Sequence, residues 1–150
     1  MRTLHSYDYA IVRVAPRVER EEFINAGVLL SCPAQDFLEA RIELDEPRLL
    51  ALDPTVDLAS VQANLASIPR ICAGGADAGP IGRLSTRERF HWLVAPRSTM
   101  IQTSAVHTGR CEDPRQAIEH LLATMVRRAP PASKRGSAPS TQGGSSGPEP

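Results

Sequence analysis

The chain has 150 residues, a length that fits one domain. Its hydrophobic fraction is 41% but its aromatic fraction only 4%, so its core is expected to be aliphatic and alanine-rich. Formal net charge is zero, which argues against bulk electrostatic capture of nucleic acid or of an anionic membrane.

"YDYAIVRV" (7–14) reads as the first strand, with Tyr9 and Ile11 on one face and Ala10, Val12 and Val14 on the other. Both faces are apolar, so the strand should be covered and central. "FINAGVLLSC" (23–32) reads as the second. Strict alternation puts Ile24, Ala26, Val28 and Leu30 on one face, and Asn25, Gly27 and Leu29 on the other. "PAQD" (33–36) is short enough for an antiparallel hairpin into "FLEARIEL" (37–44). There Leu38, Ala40, Ile42 and Leu44 should face in while Glu39, Arg41 and Glu43 face water, as in an edge strand.

Helices are expected next. Asp45 can cap a short one through "EPRLLAL", with Pro47 in its first turn. Asp57 or Thr55 can cap another, with Leu58, Val61, Leu65 and Ile68 on one stripe and Pro69 as its stop. "CAGGADAGPIG" (72–82) reads as a loop. "STRE" (85–88) has capping-box spacing before "RFHWLV", so a helix with Phe90, Leu93 and Val94 buried is expected, a strand over 89–94 being the alternative. "MIQTSAVH" (100–107) reads as the fourth strand. Asp113 should then cap a last helix with Pro114 at its first position, Gln116 completing the box, and Ile118, Leu121, Leu122 and Met125 packing inward. Arg127 and Arg128 suit its C-terminal end.

Residues 129–150, "APPASKRGSAPSTQGGSSGPEP", hold too little apolar surface to offset ordering. They are expected to be a disordered tail behind a single domain over 1–128. Three strands, three helices, a strand and a helix, in that order, do not alternate as a doubly wound fold does. They predict an α+β domain: a small, mainly antiparallel sheet of about four strands with three to four helices packed on it.

No run approaches the roughly 18 apolar residues of a membrane helix, and "MRTLHSYDYAIVRV" does not read as a signal peptide. Three cysteines, Cys32, Cys72 and Cys111, without CxxC spacing suit reduced thiols, so a cytoplasmic location is expected.

Candidate chemistry is sparse. The glycine-rich 72–82 segment lacks the ending of a phosphate-binding loop and reads as a connector. His5, His91, His107 and His120 are widely spaced, and the pair His107 and Cys111 has no companion, so neither a metal nor a cofactor is expected. Cys111 or Cys72 with His107 or His91 supplies the raw material of a thiol nucleophile, but Glu112 and Asp113 would raise the Cys111 pKa. The charge run "RVEREEF" (17–23) reads as a solvated connection.

The repeated tripeptide in "VAPRVE" (14–19) and "VAPRST" (94–99) points further. Each apolar segment stops at a proline and then presents an arginine. If the two ends share one side of the sheet, Arg17 and Arg97 converge, and with Ser98 and Thr99 they form an anion-holding corner. Asn25, Gln102 and His107 complete the candidate surface.

The blocks "YDYAIVRVAPRVEREEFINAGVLL", "ARIELDEPRLLALDP", "IPRICAGG" and "GPIGRLSTRERFHWLVAPRSTMIQTSAVHTGRCEDP" together resemble the bacterial family known as domain of unknown function 3037, over roughly residues 7–126. The resemblance brings no catalytic residue. It implies a protein partner, because genes of this kind sit near genes for HipA-like kinases. The expected function is therefore a non-catalytic interaction or regulatory module. The alternative is an enzyme or sensor that binds a phosphorylated small molecule or nucleotide at the Arg/Ser/Thr/His corner. Nucleic-acid binding is the least expected.

Overall fold

A computed structural model of the chain describes residues 3–97 and 99–128. Ser98 and the expected tail, 129–150, lie outside the described residues. The fold is α+β, with five strands in one antiparallel sheet and α-helices on both of its faces.

Strand β1 (His5–Val14) is central, as its two apolar faces require. It pairs with β2 (Ile24–Cys32), which pairs with β3 (Phe37–Ile42) at one edge. A single turn over Pro33–Gln35, closed by Asp36 in the left-handed region, makes the β2–β3 hairpin. The other side of β1 is shared by two short strands, β4 (Ile101–Thr103) against Val12–Val14 and β5 (His107–Cys111) against His5–Tyr9. The one strand expected over 100–107 is thus two, broken at Ser104–Val106.

The expected phase of β2 also needs correction. Val12 pairs with Gly27 and Arg13 with Asn25, so Ala26 is an extra residue in a β-bulge. Ile24, Ala26 and Leu29 therefore share one core, while Val28, Leu30 and Cys32 share the other. Strict alternation fails because a bulge resets the period of two.

Helix α1 (Glu46–Leu52) starts where Asp45 accepts the Arg48 N–H, and α2 (Leu58–Ala73) where Asp57 accepts the Ser60 N–H. Pro69 does not stop α2, which runs one turn further. Two features hold that turn. Ile71 and Cys72 are buried, and the Arg89 guanidinium donates to the carbonyls of both, at 2.7 and 2.6 Å. The expected loop over 72–82 instead contributes its first two residues to α2 and forms 3-10 turns over Ala76–Arg83, kinked at Gly79.

Helix α3 (Thr86–Val94) carries the full capping box between Ser85 and Glu88 and buries Phe90 and Leu93, so the helical reading of 89–94 holds and the strand does not. Helix α4 (Pro114–Leu121) is capped by Asp113, which accepts the Arg115 N–H. It continues as a π-helical turn, Leu122–Val126. The wider turn moves Val126 into the core and leaves Met125 45% exposed, where Met125 was expected inside.

Helices α1 to α3 cover one face around Val12, Val14, Leu29, Leu49, Leu65 and Phe90. Helix α4 and its π-turn cover the other around Ile11, Val28, Leu30, Ile118 and Leu122. The charged face of β3 meets α4 rather than only water. Arg41 pairs with Glu119, and Arg127 bridges Glu43 and Glu119. No helix among the described residues is long and apolar enough to cross a membrane.

Candidate functional site

The second Ala-Pro-Arg turn links the end of α3 to the start of β4. Ala95 leaves α3 in extended backbone, ahead of Pro96, whose N–H is missing. Arg97 then folds back. Its Nη2 donates to the Trp92 carbonyl at 2.7 Å, and its guanidinium lies 4.0 Å from the Trp92 ring centroid. Thr99 Oγ1 donates to the Ile101 carbonyl at 2.7 Å and Gln102 Nε2 to the Thr99 carbonyl at 2.8 Å. The corner's polar groups thus fix its own backbone.

Beside this corner lies a cleft of about 260 Å³ between α2, the end of α3 and β4. Arg97, Thr99 and Gln102 line it together with Asn64 and Ser67 of α2 and the apolar side chain of Leu93. The two α2 residues were not singled out from sequence. Their only signal there is that they fall on the polar side of the Val61, Leu65, Ile68 stripe.

The cleft runs along an open sheet edge, because β4 is last in the strand order. The Ala15 N–H donates to the Met100 carbonyl at 2.7 Å and the Ser104 N–H to the Ile11 carbonyl at 2.8 Å. That phase makes Gln102 the residue bonded to β1. Ile101 and Thr103 turn their own N–H and C=O away from β1, the Ile101 carbonyl onto the Thr99 hydroxyl.

The other candidate residues go elsewhere. Ala15 bonds to Met100, so both Ala-Pro-Arg turns leave the same end of the sheet. Their arginines nonetheless take different partners. Arg17 Nε stands 3.6 Å from Asp53 Oδ2, whereas Arg97 rests on Trp92. Hydrogen bonds from the Thr55 hydroxyl and N–H, with Arg17 adding to them, hold the buried Asp53 carboxyl below its usual range. Asn25 donates to the Met125 carbonyl at 2.9 Å on the α4 side. His107 stacks against Tyr9 with ring centroids 5.4 Å apart.

Burial pushes the Cys72 thiol up to about 12, and burial raises Cys111 as well. At Cys72 burial outweighs the nearby Arg89 guanidinium, and at Cys111 the Asp113 carboxylate adds to burial, so neither thiol is set up as a reactive thiolate. Among the described residues no three His, Cys, Asp or Glu side chains are grouped to hold a metal ion. Two amides of the glycine-rich segment turn inward, Gly75 N–H on the Gly82 carbonyl at 3.1 Å and Ala78 N–H on the Gly75 carbonyl at 3.2 Å. These two amides are not presented to an anion.

No curated protein and no solved structure matches this chain. One protein family does, over residues 9–126, and its description is "Protein of unknown function (DUF3037)".

Proposed function

The chain belongs to the DUF3037 family, and from that premise we propose that it is a bacterial, cytosolic, non-catalytic interaction module that docks a partner polypeptide along β4. The observation that carries this reading is the cleft of about 260 Å³ beside an open strand edge. An extended segment adding to such an edge gains main-chain hydrogen bonds, while side-chain pockets beside it supply selectivity. The outward N–H of Ile101 and the outward N–H and C=O of Thr103 would supply the bonds. Asn64, Ser67 and Arg97 would read the segment's side chains. A phosphate-binding corner is less well supported, because Arg17 is engaged with Asp53 and His107 with Tyr9. That leaves one arginine where a phosphate pocket would want several.

A HipA-like kinase is the first partner to test. Co-expression with the full chain, followed by size-exclusion chromatography, should give one co-eluting complex. Ser67→Arg, which fills the cleft, and Thr103→Pro, which removes an outward N–H without touching the β1 ladder, should both abolish it while circular dichroism stays unchanged. Co-elution that persists in both variants would refute docking at this edge. A chain that also elutes alone from its native host would refute the module reading.

A further inference from the structure

A second cavity, of about 250 Å³, sits where the end of β2 passes under the start of α3, and it shares no lining residue with the β4 cleft. It is lined by Ser31, Pro33, Asp36, Ser85, Thr86 and Arg87. We propose that this cavity binds a free α-amino acid, its carboxylate on the α3 N-terminus and its ammonium on Asp36.

Three observations carry this. Ser31 is 1% exposed, yet its hydroxyl has no hydrogen-bond partner among the described residues. A buried hydroxyl left unpaired in a cavity wall is costly unless something there completes it. Next, α3 starts at the cavity. Its capping box uses the Glu88 N–H, taken by Ser85 Oγ at 3.2 Å. The N–H groups of Thr86 and Arg87 have no acceptor inside the helix and point out of its positive end. Such an end favours a carboxylate. Finally, the exposed Asp36 makes no ion pair among the described residues.

The surrounding charges decide between ligand classes. Arg87 is already paired with Asp8 at 3.0 Å, and Asp8 also accepts from Thr108 at 3.0 Å. The Glu88 carboxylate is turned to the Ser85 N–H at 3.3 Å. The one free full charge lining the cavity is therefore negative, which disfavours a bare phosphate. A zwitterion satisfies both ends at once. The volume also falls below the roughly 300–1,000 Å³ typical of drug-sized ligands, which suits a small metabolite.

The test is isothermal titration of the full chain with each of the twenty standard amino acids, with acetate, methylammonium and inorganic phosphate as single-ended probes. At least one amino acid should bind, and at least about tenfold more tightly than acetate or methylammonium. Asp36→Asn, at an exposed position that should not disturb folding, should weaken that binding about tenfold, and Ser31→Ala should weaken it severalfold. Binding of no amino acid, binding no tighter than the single-ended probes, an unchanged affinity in Asp36→Asn, or tighter binding of phosphate would each overturn the proposal.

Discussion

Ser104 Oγ accepts the backbone N–H of Ile11 at 2.8 Å, in the place where a strand carbonyl would stand. The Ser104 N–H returns the bond to the Ile11 carbonyl at 2.8 Å, and its hydroxyl donates to the Ala105 carbonyl at 2.9 Å. The register changes across this residue. Val12 pairs with Thr103 before it and Tyr9 with His107 after it, so the β4–β5 side carries one extra residue. A serine hydroxyl thus stitches the sheet across the break that separates β4 from β5.

Ser104→Ala should leave the buried Ile11 N–H unpaired. The expected loss is about 1–3 kcal/mol. Urea denaturation checks it, and a loss below the error of the extrapolation would show that the bond is replaceable by water.

The π-turn separates two adjacent side chains. Val126 is 4% exposed and Met125 45%. Val126→Ala should cost about 1–3 kcal/mol and Met125→Ala less than about 0.5 kcal/mol. Thermal unfolding of the pair decides between this turn and a regular α-helix, which would reverse the order.

Arg89 closes the carbonyl end of α2, bonding Ile71 and Cys72, and also reaches the Leu84 carbonyl at 3.2 Å. Arg89→Met should lower stability by about 1.5–3 kcal/mol. Arg89→Lys should recover only part of it, since an ammonium lacks the planar fork that serves several carbonyls. Amide hydrogen exchange should show the turn after Pro69 opening first in both variants.

Acid should loosen the β3–α4 contact. The hydrogen bond from Arg127 holds the Glu43 and Glu119 carboxyls below the ordinary glutamate value of 4.5. Near that value the unfolded chain binds more protons than the folded one, so stability rises with pH there. The contribution is complete above about pH 5 and is lost as pH falls through the lowered folded values. The melting temperature of Arg127→Met should therefore trail that of the native chain at pH 7, and the gap should close towards pH 2. A gap independent of pH would point to lost packing of the arginine stem instead.

Much of the fold was legible because the signals are local. The caps at Asp45, Asp57, Ser85 and Asp113 each need only a side chain and an N–H two or three residues on, and each stands where the sequence places it. The centrality of β1 follows from its two apolar faces. The readings that failed depend on other elements. Pro69 reads as a stop until Arg89, twenty positions later, is brought to the carbonyls it leaves. The phase of β2 turns on a bulge at Ala26, visible only against Val12 and Arg13. For the candidate site, Arg97, Thr99 and Gln102 line one cleft as neighbours in sequence, whereas Asn64 and Ser67 join them only through the packing of α2 beside β4.

Taken alone, the sequence determined the α+β class, the order of strands and helices through α3 and the start points of the four α-helices, because periodicity and capping act within a few residues. Tertiary structure decided which arginine of the two Ala-Pro-Arg turns is ion-paired and which lies on an aromatic ring. Both turns leave the same end of the sheet, but Asp53, held by Thr55, faces Arg17 and nothing acidic among the described residues faces Arg97. It also decided which hydroxyls of the run from Ser98 onward are structural, since only the packed sheet brings Ile11 to Ser104 and Asp8 to Thr108. Those pairings join residues 93 and 100 positions apart, a separation over which no local pattern carries information.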